Sequence, residues 1–155
     1  IKSALEREKN RAELHFWAGN IYKLAQKIPE AVSEWIETVK ITPKHADALE
    51  SLGRAFQDQA NFAKAVQYYQ GALAADPTRR GLYVNIAESQ FSMSKYDNCI
   101  QSYQQVLIDE PKNVNAHFRI GAAYTEMHKM DQAISWYEKT VALDKGHSEA
   151  WKALG

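Results

Sequence analysis

Between Ala46 and Leu73 the apolar residues fall into two runs at helical spacing. Ala48, Leu52, Ala55 and Phe56 form the first run, which reaches Gln59. Phe62, Ala65, Val66, Tyr69, Ala72 and Leu73 form the second. Spacings of three and four residues place each run on one face of an α-helix. Asp76-Pro77 closes the second run, because proline has no amide donor and clashes with the preceding turn. The pattern predicts a helix, a short turn, an antiparallel helix and a second short turn.

The same unit recurs every 34 residues. Pro43, Pro77 and Pro111 mark the period, with Lys145 in the fourth place. Gly19, Gly53, Ala87, Gly121 and Gly155 keep the same spacing, as do Ala31, Ala65, Cys99 and Ala133. Trp35, Tyr69, Tyr103 and Tyr137 form an aromatic series, and Tyr22, Phe56, Gln90 and Tyr124 a fifth series. A fixed period of this length is the mark of stacked supersecondary units. Gly53 is expected to let the second helix approach closely, with Ala65 as the matching small face.

These residues carry a resemblance to the tetratricopeptide repeat, a 34-residue helix pair. In the family's order the chain supplies Leu49, Leu52-Gly53, Phe56, Ala65, Tyr69, Ala72 and Pro77. The departures are Gln90 in an aromatic place, Lys145 for proline, and Thr38, Val106 and Thr140 in the place of Ala72; they imply a looser third repeat. The resemblance implies an all-α, right-handed α-solenoid of antiparallel helix pairs over residues 1–155. Four whole repeats are expected at 12–45, 46–79, 80–113 and 114–147. Residues 1–11 are expected to be the tail of a preceding helix, with Ala4 and Leu5 in the register of Ala72 and Leu73. Residues 148–155 are expected to begin a fifth repeat, with Trp151 and Leu154 on an open edge. On this reading the array is a fragment of a longer protein or associates through its ends.

The chain has 155 residues, 19 basic and 19 acidic side chains and a formal net charge of zero. Charge balance argues against bulk nucleic acid or an anionic membrane surface as partner. No apolar run approaches the ~20 residues that span a bilayer, so direct membrane insertion is not expected. A cytoplasmic location is the expectation. Cys99 is the single cysteine, which excludes an internal disulfide. It stands in the place of Ala65, where a small buried residue is wanted.

Chemistry-bearing motifs are missing from the sequence. The seven glycines are scattered singly, without a phosphate-cradling loop. The histidines His15, His45, His117, His128 and His147 include no pair at i,i+4, and no cofactor or metal is expected. His15 and His117 share the register of Leu49 and are read as packed helix residues. The expectation is a protein that is not an enzyme.

What remains is surface. The resemblance implies a concave face, lined by the first helix of each repeat, that binds extended peptides or partner helices. The positions carried over include Asn20, Arg54, Asn85 and Arg119 as polar contacts. Phe16, Val84, Phe91 and Phe118 are carried over as apolar contacts, with Trp17 beside them and Lys23, Gln57 and Thr125 at the lip. Arginine forks suit carboxylates, and aromatic and arginine side chains dominate binding hot spots. The carboxylate clamp of chaperone adaptors maps to Glu50, Arg54, Asn85, Asn115 and Arg119, where only Asn85 and Arg119 fit. The asparagine ladder of sugar-transferring relatives maps to Trp17, Ser51, Asn85 and Arg119, with one match. The leading expectation is a protein–protein interaction scaffold with a protein or peptide partner. The alternatives are a targeting or regulatory segment of a larger enzyme, and a self-assembly module forming a homo-oligomer through its ends.

Overall fold

The computed structural model describes residues 2–155, with side chains from Glu6 onward. The register expected for Ala4 and Leu5 lies outside the described side chains. Nine helices and no strand occur among the described residues. The chain divides into two compact units, Ile1–Arg79 and Arg80–Gly155.

The first unit holds α1 (Lys2–Leu24), α2 (Ile28–Ile41), α3 (Ala46–Asp58) and α4 (Phe62–Ala75). Each packs on the next in chain order. The second holds α5 (Leu82–Ser92), α6 (Tyr96–Asp109), α7 (Val114–Glu126), α8 (Met130–Leu143) and the short α9 (Ser148–Leu154), again packed in sequence. The leading segment, expected as the tail of a separate helix, runs unbroken into the first helix of the first repeat. No glycine or proline interrupts the stretch before Gly19, so nothing ends the helix there.

Close approach within each pair rests on the small and aromatic series. Trp35, Tyr69, Tyr103 and Tyr137 are buried, as are Ala31, Ala65, Cys99 and Ala133. A Cβ added to Gly53 would lie 2.6 Å from the Tyr69 ring; at Gly19 it would meet Trp35 at 2.5 Å, and at Gly121 Tyr137 at 2.7 Å. The ring of the second helix occupies the space a side chain on the first would need. Thr38 and Thr140, buried in the place of Ala72, return their hydroxyl hydrogen bonds to Glu34 O and Trp136 O at 3.0 and 2.9 Å.

The turn inside every repeat is built alike. Gln26, Ala60, Ser94 and His128, 34 residues apart, have φ of 56–60°, in the left-handed region. Around each, two backbone bonds close the end of the first helix. In the second repeat these are Asn61 N to Phe56 O at 2.8 Å and Ala60 N to Gln57 O at 2.9 Å. This is the Schellman arrangement, which usually uses glycine at the left-handed residue. None of the four is glycine, so the turn was invisible to a search for glycine punctuation.

The next first helix is opened by a side-chain cap. His45 Nδ1 accepts from Ala48 N, Asn113 Oδ1 from Ala116 N, and His147 Nδ1 from Ala150 N. Each satisfies one of the amides that a helix start leaves unpaired. Arg79 holds the same register before α5 and has no acceptor to offer. Accordingly α5 starts late, at Leu82, after Gly81 with no side-chain cap, and has 11 residues where α3 and α7 have 13. Where proline is missing, Asp144 holds the turn, its Oδ1 accepting from Gly146 N at 2.9 Å.

Candidate functional site

On the first-helix face of the first unit the polar side chains form a chain of charges. Arg54 Nη2 donates to Glu50 Oε1 at 2.7 Å, and Glu50 Oε2 accepts from Arg79 Nη1 at 2.6 Å. Arg79 also donates to Asp47 Oδ1 at 2.5 Å and, through Nε, to Asp76 Oδ2 at 3.1 Å. Burial works against the Arg79 charge, but hydrogen bonds to Glu50, Asp47 and Asp76 outweigh it and hold its pKa above the ordinary guanidinium value. Arg79 was not among the residues singled out from sequence. Its register is that of a cap, and only the structure turns it back toward α3. Glu50, which departs from the clamp pattern, is thus neutralised by two arginines.

Arg54 remains the outward cation, with its side chain 57% exposed. Asn20 faces inward and accepts from Trp35 Nε1 at 3.2 Å, so it positions the indole. Phe16 is half-buried, its ring 4.7 Å from the His45 imidazole. Trp17 beside it is 60% exposed.

Two cavities lie on this face. One, of about 360 Å³, is floored by Ile28, Pro29, Trp35 and Ala55, with Lys23, Ser51, Arg54 and Asp58 around it. The other, of about 240 Å³, is lined by Phe16, Asp47, Glu50 and Arg79 together with the same Lys23, Ser51 and Arg54.

In the second unit Arg119 Nη2 stands 3.7 Å from Glu88 Oε1, and both side chains are partly exposed. Asn85 is half-buried on α5. Phe118 repeats the arrangement of Phe16, its ring 4.8 Å from His147, and also meets Tyr137 at 5.6 Å. Val84 and Phe91 are half-buried against the core of Ala87, Cys99, Tyr103 and Ile120. Phe91 makes an edge contact with Tyr96 at 5.3 Å. The apolar members of the sequence-derived set therefore all take part in packing, whereas Arg54 and Arg119 project. His15 and His117 are engaged as packed residues, His15 Nδ1 with Glu34 Oε2 at 2.6 Å and His117 Nδ1 with Asn113 O at 2.9 Å.

Among the described residues no group of three or more His, Cys, Asp or Glu is placed to hold a metal ion. No helix among them is long and apolar enough to cross a membrane.

The fold defines an all-α helical repeat solenoid. Family models of the tetratricopeptide repeat match residues 25–80 and 90–155, and the chain belongs to that family. No match was found among curated proteins. Among solved structures, a MamA protein is similar with a TM-score of 0.81 and 19% identity, over 93% of this chain and 79% of that one. MamA from Desulfovibrio magneticus RS-1, from residue 41 to the end, gives 0.78 and 17%, over 93% and 81%. The first tetratricopeptide domain of Spaghetti (RPAP3), bound to the HSP90 peptide SRMEEVD, gives 0.62 and 25%, over 70% and 86%.

Proposed function

We propose that this chain is a non-catalytic protein-interaction scaffold that binds a peptide or partner helix on its first-helix faces. The observation that carries the reading is the pair of outward arginines. Arg54 and Arg119 stand on first helices of the two units, each tied to a single carboxylate on its own unit's surface. A repeat protein presents such a preformed surface with little ordering on the receptor side, so many modest contacts add up. The peptide held by the similar domain of RPAP3 supports the same reading. The test is a peptide library screened against the protein by calorimetry, followed by Arg54→Ala and Arg119→Ala. Binders weakened by either substitution support the scaffold; a library without binders removes it.

A second reading, self-association, is supported by one apolar stripe. Leu14, Trp17, Ile21 and Leu24 on α1 are all largely exposed and recur at spacings of three and four. Such a seam is what helices use to pair. The second repeat carries Ala48, Ser51, Ala55 and Asp58 in the same register. Analytical ultracentrifugation over a wide concentration range tests it. Dimers that dissolve on Trp17→Lys support self-association, and a monomer throughout excludes it.

A further inference from the structure

The two cavities of the first unit share Lys23, Ser51 and Arg54, and they differ sharply in character. The larger is a slot floored by Ile28, Pro29, Trp35 and Ala55. Later repeats do not carry this floor: Ala63, Asp97 and Asp131 hold the register of Pro29, and tyrosine holds that of Trp35.

The cation at its lip is available for a distinct reason. In the second repeat the buried ring's hydroxyl, on Tyr69, donates to the lip residue Gln57 at 2.6 Å; in the fourth, Tyr137 pairs with the lip residue Thr125 at 3.0 Å. In the first repeat the ring is an indole, and its N–H is taken by Asn20, one turn earlier on the helix. The lip residue there is Lys23, which is exposed. Arg54 stands on the other side, its Nη2 bonded to Glu50 and its side chain 57% exposed. The rim of the slot carries two cations, Lys23 and Arg54, against the one carboxylate of Asp58. The adjoining polar cavity carries Asp47 and Glu50, already bonded to Arg79, and so offers no second place for an anion.

We propose that this slot recognises a peptide segment in which one bulky apolar side chain stands next to a carboxylate. The apolar group fills the space over Trp35 and Pro29, and the carboxylate is held between Lys23 and Arg54. A volume of about 360 Å³ admits a leucine- or phenylalanine-sized group. Its burial supplies attraction, and the paired cations supply orientation and selectivity. This deepens the scaffold reading above and rests on it.

The test is a titration of the full chain, followed by amide and indole NMR signals. The probe is a short peptide with blocked ends and a central Leu-Glu pair. The expected result is a saturable shift of the Trp35 indole N–H signal together with the amides around Lys23 and Arg54. Replacing the probe's Leu by Ala, or its Glu by Gln, is expected to weaken binding about tenfold, the scale of one desolvated contact. Lys23→Ala and Arg54→Ala each weaken it by a similar factor while the melting curve stays put. A second probe ending in leucine with a free terminal carboxylate distinguishes a chain-end ligand from an internal acidic residue. The proposal is overturned if neither probe shifts the Trp35 indole, or if the shift ignores Lys23 and Arg54. Library binders indifferent to both residues leave the scaffold reading standing and remove this one; a library without binders removes both.

Discussion

Ser102 Oγ donates a 2.8 Å hydrogen bond to Gln90 Oε1 within the buried face of the third repeat. One repeat earlier the same two places hold Phe56 and Tyr68, stacked with ring centroids 5.4 Å apart and planes within 4°. An aromatic pair has been exchanged for a polar pair, and the exchange works because both partners changed. Ser102→Ala leaves the Gln90 oxygen without its donor and is expected to cost about 1–3 kcal/mol. The double change Gln90→Phe with Ser102→Tyr is expected to recover most of that. Urea denaturation of Gln90→Phe, Ser102→Tyr and the double variant measures the coupling; additive losses would mean that the two places are independent.

Gly53→Leu is expected to destabilise by about 1–3 kcal/mol or more, since even a Cβ would reach 2.6 Å from the Tyr69 ring. Gly53→Ala is expected to cost less. Ala87 stands in that register opposite Tyr103, so the fold accommodates one methyl there. Thermal melts of the two variants give the order, and equal melts would sink the close-approach account.

Ala60→Gly is expected to raise stability by about 1 kcal/mol, because Ala60 sits at φ 56°. Glycine normally weakens helical proteins, so the sign is diagnostic. A loss measured by chemical denaturation would contradict the left-handed turn.

Burial pushes the Cys99 thiol from its ordinary 9.0 up to about 11. The folded state therefore holds this proton more tightly than the unfolded chain does. The associated stability is fully present below about pH 9 and is lost as pH rises toward 11. Tyr103, buried beside it without a hydrogen-bond partner among the described residues, shifts in the same direction. Because thiolate is the reactive form, a thiol-specific chromogenic reagent near neutral pH is expected to label Cys99 only after denaturation. Rapid labelling of the native protein would show that the site opens.

Arg119→Ala is expected to weaken peptide binding while changing stability by less than about 1 kcal/mol. Its ion pair with Glu88 is 3.7 Å long and partly exposed, and such pairs contribute little. A lowered melting temperature would instead assign Arg119 a packing role.

The helix pairs were legible in the sequence because their physics is periodic. Gly53 must be small so that Tyr69 can pack, and Pro77 must follow the helix it ends. What escaped was geometry reached by unusual residues. The left-handed turn residues are Gln26, Ala60, Ser94 and His128, and two of the helix caps are histidines. At the candidate site the sequence places Arg54 and Arg119 but is silent on Arg79. Its bonds to Asp47 and Glu50 span 32 and 29 residues, and no local pattern encodes them. The larger cavity likewise rests on Trp35, whose indole N–H bonds to Asn20.

The four left-handed turns also restrict how such a protein can change in length. Each turn is closed by a backbone bond reaching back five residues and another reaching back three, as in Asn61 to Phe56 and Ala60 to Gln57. One added or deleted residue inside the turn breaks both bonds and rotates the following helix off its buried face. Small insertions and deletions are therefore selected against at these sites, and growth by whole duplicated units is the change the architecture accepts. A gene for a chain of this kind is expected to lengthen in steps of 102 base pairs, one complete 34-residue unit at a time.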